Sequence, residues 1–169
     1  MLELSYLELQ RMSDSVQKHA LRRYSKGHYL RELPDGALEA FLGRGVPPGD
    51  GGGGYLPNVD FQAHGGAIAD VPDQDTPFSH RDALVEFGAG TSWADPAQDD
   101  VRIAAARRCA AALDQYASGA YVNFVNDAGA EGVLRAYSPE KLARLTAVKT
   151  AYDPDNVFHL NHNIKPVRR

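Results

Sequence analysis

Between residues 84 and 117 the side-chain pattern of this chain changes its period, and that change constrains the fold more than any other feature. From 84 to 93, Leu84, Glu86 and Gly88 fall on one side and Val85, Phe87 and Ala89 on the other, the two-residue repeat of a strand. From 96 to 117 the apolar positions Val101, Ala105, Cys109, Ala112, Leu113 and Tyr116 recur at helical spacing, and Ser118-Gly119 reads as the C-cap. A strand followed at once by a long helix excludes all-helical and all-strand architectures.

The rest of the chain extends the same alternation of elements. Leu4, Leu7 and Met12 suggest a short first helix, and the aromatic-rich alternation of 22–30 suggests a strand. Pro34-Asp35-Gly36 turns the chain into a helix at 37–44. Residues 45–56, with Pro47, Pro48 and Gly51 through Gly54, read as a flexible surface loop; those glycines lack the lysine and following helix of a phosphate cradle. A second strand is expected over 59–71, its paired Gly65-Gly66 allowing a close approach to the backbone, and 70–80 reads as turn. After the long helix come a short strand at 120–125, a turn at 126–132 and a short helix at 133–137. Ser138 caps a last helix with Pro139 at its first position, Leu142, Leu145 and Val148 on its inner side, and Pro154 at its end. Long helices joining strands of one small sheet make the fold class α+β.

Composition narrows the partners. The 169 residues suit one domain or a piece of one, and 43% hydrophobic residues, 24% charged residues and a net charge of −4 describe a globular chain with no general basic surface for nucleic acid. No apolar run reaches the roughly 18 residues of a membrane helix, and the N-terminus lacks a secretory pattern, so a cytoplasmic chain with no membrane partner is expected. The single cysteine, Cys109, sits among alanines on the long helix and reads as a buried structural thiol.

The tail is the most distinctive stretch: Tyr152-Asp153-Pro154-Asp155-Asn156-Val157-Phe158, then Asn161-His162-Asn163-Ile164-Lys165-Pro166. It resembles the closing signature of the berberine-bridge-enzyme-like FAD-linked oxidoreductases. Tyr24-Ser25-Lys26-Gly27-His28-Tyr29-Leu30, Gly65-Gly66-Ala67-Ile68, His80-Arg81-Asp82-Ala83-Leu84 leading to Trp93, and Tyr121-Val122-Asn123-Phe124 resemble successive landmarks of the same family, in order along nearly the whole chain. The resemblance implies a partial antiparallel sheet with helices packed on one side. Residues 1–120 would be the C-terminal half of a substrate-binding domain, and 121–169 a berberine-like segment that docks on an FAD-binding domain. The glycine-rich pyrophosphate site and covalent flavin anchors of that domain cannot be placed in this sequence. The expectation is thus a C-terminal portion of an FAD-dependent oxidase, its partners a small-molecule substrate and a separately encoded FAD-binding domain. Autonomous activity, and retention of FAD by the isolated chain, are not expected.

Within that resemblance Tyr121 matches a tyrosine that serves some relatives as base or its helper, and Asn123 shares its strand face as a flavin contact. An ordinary phenol is a poor base at neutral pH and needs a neighbour to lower its pKa. Gly88 occupies the place of a polar active-site residue in relatives, a departure that Glu86, one same-face position earlier, partly offsets as a catalytic carboxylate. Asn161 and Asn163 alternate onto one face of the tail and would reach the flavin. Lys26 and His28 share a strand face as cavity candidates, and Asp153-Pro154-Asp155-Asn156 reads as a structural turn in which Asp155 and Asn156 satisfy the backbone. His159 and His162 have no cysteine or paired carboxylate to complete a metal site. The alternative function is a non-catalytic binding module, or the remnant of a degraded or split oxidase gene.

Overall fold

The structure, a computed structural model, describes residues 3–12, 14, 21–43, 56–125, 127 and 129–167. Three antiparallel strands, β1 (Arg22–Leu30), β2 (Asn58–Ala63) and β3 (Val85–Trp93), form one sheet in the order β1-β3-β2. β3 is central, and it is buried along most of its length because neighbours pair with it on both edges and elements cover both faces. Its register sets Tyr29 opposite Glu86, Gly27 opposite Gly88, Gln62 opposite Glu86 and Asp60 opposite Gly88.

Helices close one face. Val85, Phe87 and Ala89 of β3, with Leu30 of β1, pack against Cys109, Ala110 and Leu113 at the end of α4 (Asp99–Ala111) and just beyond it. α2 (Asp35–Gly43) adds Ala37 and Phe41, and the Phe41, Phe61 and Phe87 rings meet at 4.8 to 6.0 Å. Each large side chain buried here contributes about 1.5–3 kcal/mol. The expected α+β class, with helices on one side of an antiparallel sheet, is the observed one. Cys109 is buried within this core.

Several local expectations are corrected. The long helix ends at Ala111 and is followed by a 3-10 turn (Asp114–Tyr116), while Val101 is 55% exposed. β2 stops at Ala63, before Gly65 and Gly66, whose φ of +132° and +51° break the strand and lead into α3 (Ala67–Asp70). The strand expected at 120–125 is a 3-10 turn (Val122–Phe124), because Gly119 spends the available pairing on Tyr29 and Ala120 donates to the Arg135 carbonyl. α5 (Gly129–Ala136) then leads to α6 (Pro139–Tyr152), capped by Ser138 as expected. The buried residue of α6 is Lys141, not the Leu142, Leu145 and Val148 stripe; its Nζ donates to Asp73 Oδ1 at 2.7 Å and to the Phe78 carbonyl at 2.6 Å. α1 (Tyr6–Arg11) carries a capping box between Ser5 and Glu8 but buries none of its own residues. The loop expected at 45–56 lies outside the described residues except for Leu56.

Candidate active site

The face of the sheet turned away from α4 holds most of the polar candidates on the strands. Alternation along the strands puts Tyr29 and Gly27 of β1, Asp60 and Gln62 of β2, and Glu86 and Gly88 of β3 on it together. Glu86 is 5% exposed, and His64, just past β2, brings Nε2 to 3.4 Å from Glu86 Oε2. Burial raises the Glu86 carboxyl above its ordinary range, and the His64 contact opposes that rise. Tyr29 lies edge-on to His64, ring centroids 5.2 Å apart. Burial, followed by the negative charge of Glu86 and the Tyr121 phenol, pushes its pKa far up, so Tyr29 is a donor rather than a base.

Tyr121 and Asn123 stand at the 3-10 turn above this face, and Asn123 Nδ2 donates to Tyr121 Oη at 2.9 Å. The turn rests on glycines. A Cβ on Gly27 would lie 2.7 Å from the Phe124 ring and 2.2 Å from the Phe87 carbonyl oxygen. One on Gly88 would lie 3.2 Å from the Phe124 ring and 2.9 Å from Asp60 Oδ1. Phe124 thus fills the space a side chain at 88 would need, and the Asp60 carboxylate reaches it from the adjacent strand.

The remaining candidates divide. Asn161 has a left-handed φ of +58°, and Asn163 donates its backbone N–H to the Asn161 carbonyl, so the two do not alternate along an extended strand. Asn161 joins Asn123, Tyr24, Asp127 and His162 around a cavity of about 530 Å³, whereas Asn163 does not line it. The Asn163 side-chain oxygen is buried with no hydrogen-bond partner among the described residues. Lys26 and His28 lie on the helix-covered face, opposite Glu86; His28 is fully buried, accepts from Arg135 at Nδ1 (2.7 Å) and donates from Nε2 to the Ala110 carbonyl (2.9 Å). In the tail turn it is Asp153, not Asp155 or the Asn156 side chain, that satisfies the backbone, accepting from the Val157 and Phe158 amides at 2.7 and 3.0 Å and pairing with Lys149.

Sequence reasoning singled out Glu86, Tyr121 and Asn123 and did not single out Tyr29, Asp60 and His64, which the structure sets beside Glu86 or Gly88. The alternation of β2 carries a signal for Asp60, since Asp60 and Gln62 share a face; the register that brings them beside Gly88 and Glu86 is a long-range property.

Residues 120–165 match the family described as berberine and berberine-like. An uncharacterized FAD-linked oxidoreductase, YvdP of Bacillus subtilis, is 36% identical over 111 residues, 66% of this chain and 25% of the relative. An aclacinomycin-N/aclacinomycin-A oxidase of Streptomyces galilaeus is 26% identical over 164 residues, 86% of this chain and 29% of the relative. Among solved structures, that of an aclacinomycin oxidoreductase superposes with a TM-score of 0.70 at 24% identity, over 86% of this chain and 33% of that one, a likeness of fold. The chain spans about a quarter of the length of the first two curated relatives it matches. Residues 120–165 thus carry the berberine-like domain, and the chain as a whole is similar in sequence to a C-terminal portion of FAD-linked oxidoreductases and in fold to that part of a berberine-bridge-enzyme-like structure.

Proposed function

We propose that this chain supplies the substrate-cavity and flavin-facing part of an FAD-dependent oxidoreductase and works together with an FAD-binding domain. Residues 1–120 act as the substrate-binding part and 121–169 as the segment that docks on that domain. One observation carries the reading: Glu86 and Asp60 share the face of the sheet opposite the helices, above a glycine floor, and Tyr121 and Asn123 stand on the 3-10 turn whose Phe124 packs on that floor. A neighbouring domain would pack outside the 3-10 turn that already covers that face, and on the exposed Tyr152, Phe158 and Leu160 of the tail, each at least 80% exposed.

The side chains present fit a flavin ring and not its diphosphate. Amides at Asn123 and Asn161 and the phenol of Tyr121 offer donors and acceptors to ring carbonyls and nitrogens. A bound flavin supplies the hydride acceptor; the protein supplies position and proton transfer. Asn123 orients the Tyr121 hydroxyl, and Glu86, a buried carboxylate raised above its ordinary range by burial, is the group placed to take a proton from a substrate hydroxyl or amine. His64 holds that carboxylate in place.

The test is to express the chain alone and with the FAD-binding domain of a Bacillus relative. The chain alone is expected to be colourless; the pair is expected to co-purify with an altered flavin absorption spectrum that shifts again with Asn123→Ala. A flavin spectrum unchanged by the chain would overturn the proposal.

A further inference from the structure

Tyr121 also borders a second, smaller cavity of about 200 Å³ whose chemistry differs from everything around it. Its walls are Tyr29, Phe78, Tyr121 and Tyr137, with Ser79 and small apolar residues between them, and among the described residues no lining one is charged. The adjoining cavity of about 1060 Å³ is lined instead by Arg31, Arg81, Arg135, Asp73, Asp82 and Glu131, among others. Four aromatic rings around so small a volume select a flat molecule, and the volume, below the roughly 300 Å³ at which drug-sized pockets begin, admits one ring. A charged group entering these walls would lose its hydration without an ionic partner.

Two hydroxyls mark where the polar end of such a molecule belongs. Tyr29 is 1% exposed and Ser79 is 8% exposed, both line this cavity, and the hydroxyl oxygens of both are buried with no hydrogen-bond partner among the described residues. An unsatisfied buried hydroxyl costs about 1–3 kcal/mol, so a ligand oxygen that serves both relieves a real penalty. We propose that this cavity binds a neutral, single-ring aromatic bearing a hydroxyl or carbonyl, its ring among Phe78, Tyr121 and Tyr137 and its oxygen hydrogen-bonded to Tyr29 and Ser79. On the oxidase reading the cavity anchors a non-reacting ring of the substrate beside Tyr121; that role rests on the reading, whereas the binding does not.

Phenol, toluene and benzoate are the probes, titrated into the full chain and followed by saturation-transfer NMR. Phenol is expected to bind with a Kd of about millimolar, at least about fivefold tighter than toluene, as one buried hydrogen bond requires, with benzoate excluded. Tyr29→Phe keeps the wall and is expected to bring the phenol-to-toluene ratio close to one with toluene binding unchanged; Ser79→Ala is expected to lower the same ratio and serves if the first variant does not fold. Equal binding of phenol and toluene, binding of benzoate, or no phenol binding, which would leave the two hydroxyls to water alone, would each overturn the proposal. The measurement involves no flavin, so phenol binding alongside a failed reconstitution would remove the anchoring role and leave the site.

Discussion

The two faces of the sheet are made from the same three strands and differ in almost everything else. On the helix side, Phe87, Ala89, Cys109 and Leu113 are fully buried and apolar. On the other, alternate residues of those strands are Glu86, Gly88, Tyr29, Gly27 and Asp60. The period of two lets one segment build a core and hold polar side chains on the other face at once, and it means that the second arrangement depends on the first.

Breaking the core should therefore cost most. Leu113→Ala is expected to destabilise the chain by about 2–5 kcal/mol in urea unfolding, while Tyr121→Phe on the other face stays within about 0.5 kcal/mol. Comparable losses would erase the distinction between the faces. Next come the glycines beneath Phe124. Gly27→Ala drives a methyl into a backbone carbonyl and is expected to cost about 3 kcal/mol; Gly88→Ala meets a movable carboxylate and a ring and should cost about 1 kcal/mol, displacing the Phe124 and Tyr121 ring resonances in NMR spectra. A silent Gly88→Ala would show that Phe124 does not rest there.

The smallest effect is one of pH. Because burial raises the Glu86 carboxyl in the folded state, ionising it weighs against folding, and that penalty grows as pH rises from the unfolded value of about 4.3 through the folded one. Glu86→Gln is expected to gain stability relative to the parent on going from pH 4 to pH 8, measured as the difference between their urea midpoints. A relative loss over that range would mean that attraction to His64 outweighs desolvation.

The parts of this molecule that can be read from sequence are those governed by short-range period. β3 and α4 each run long enough for their repeats to be unambiguous, and Ser138 with Pro139 announces the start of α6. Residues 120–125 alternate as a strand does, yet the strand partner they need is already bonded to Gly119, and Phe124 gains more by covering Gly27 and Gly88. Tyr121 and Asn123 could be picked out, but their mutual hydrogen bond arises from that turn. Asn161 and Asn163 illustrate the limit in the tail, where a left-handed residue breaks the alternation on which a shared face depends. Helical spacing alone likewise points to Leu142 and Val148, because the partner that makes Lys141 the buried residue lies at Asp73, far back along the chain.

Lys141 has a consequence for how the last helix finds its place. Apolar stripes tolerate sliding, since one leucine can take another's seat at little cost. An ammonium that must meet both a carboxylate and a carbonyl cannot be shifted by a turn without leaving a charge stranded in an apolar seat, an error of several kcal/mol. A single cation thereby acts as an indexing pin: it fixes the phase of α6, and with it the point from which the asparagine-bearing tail departs.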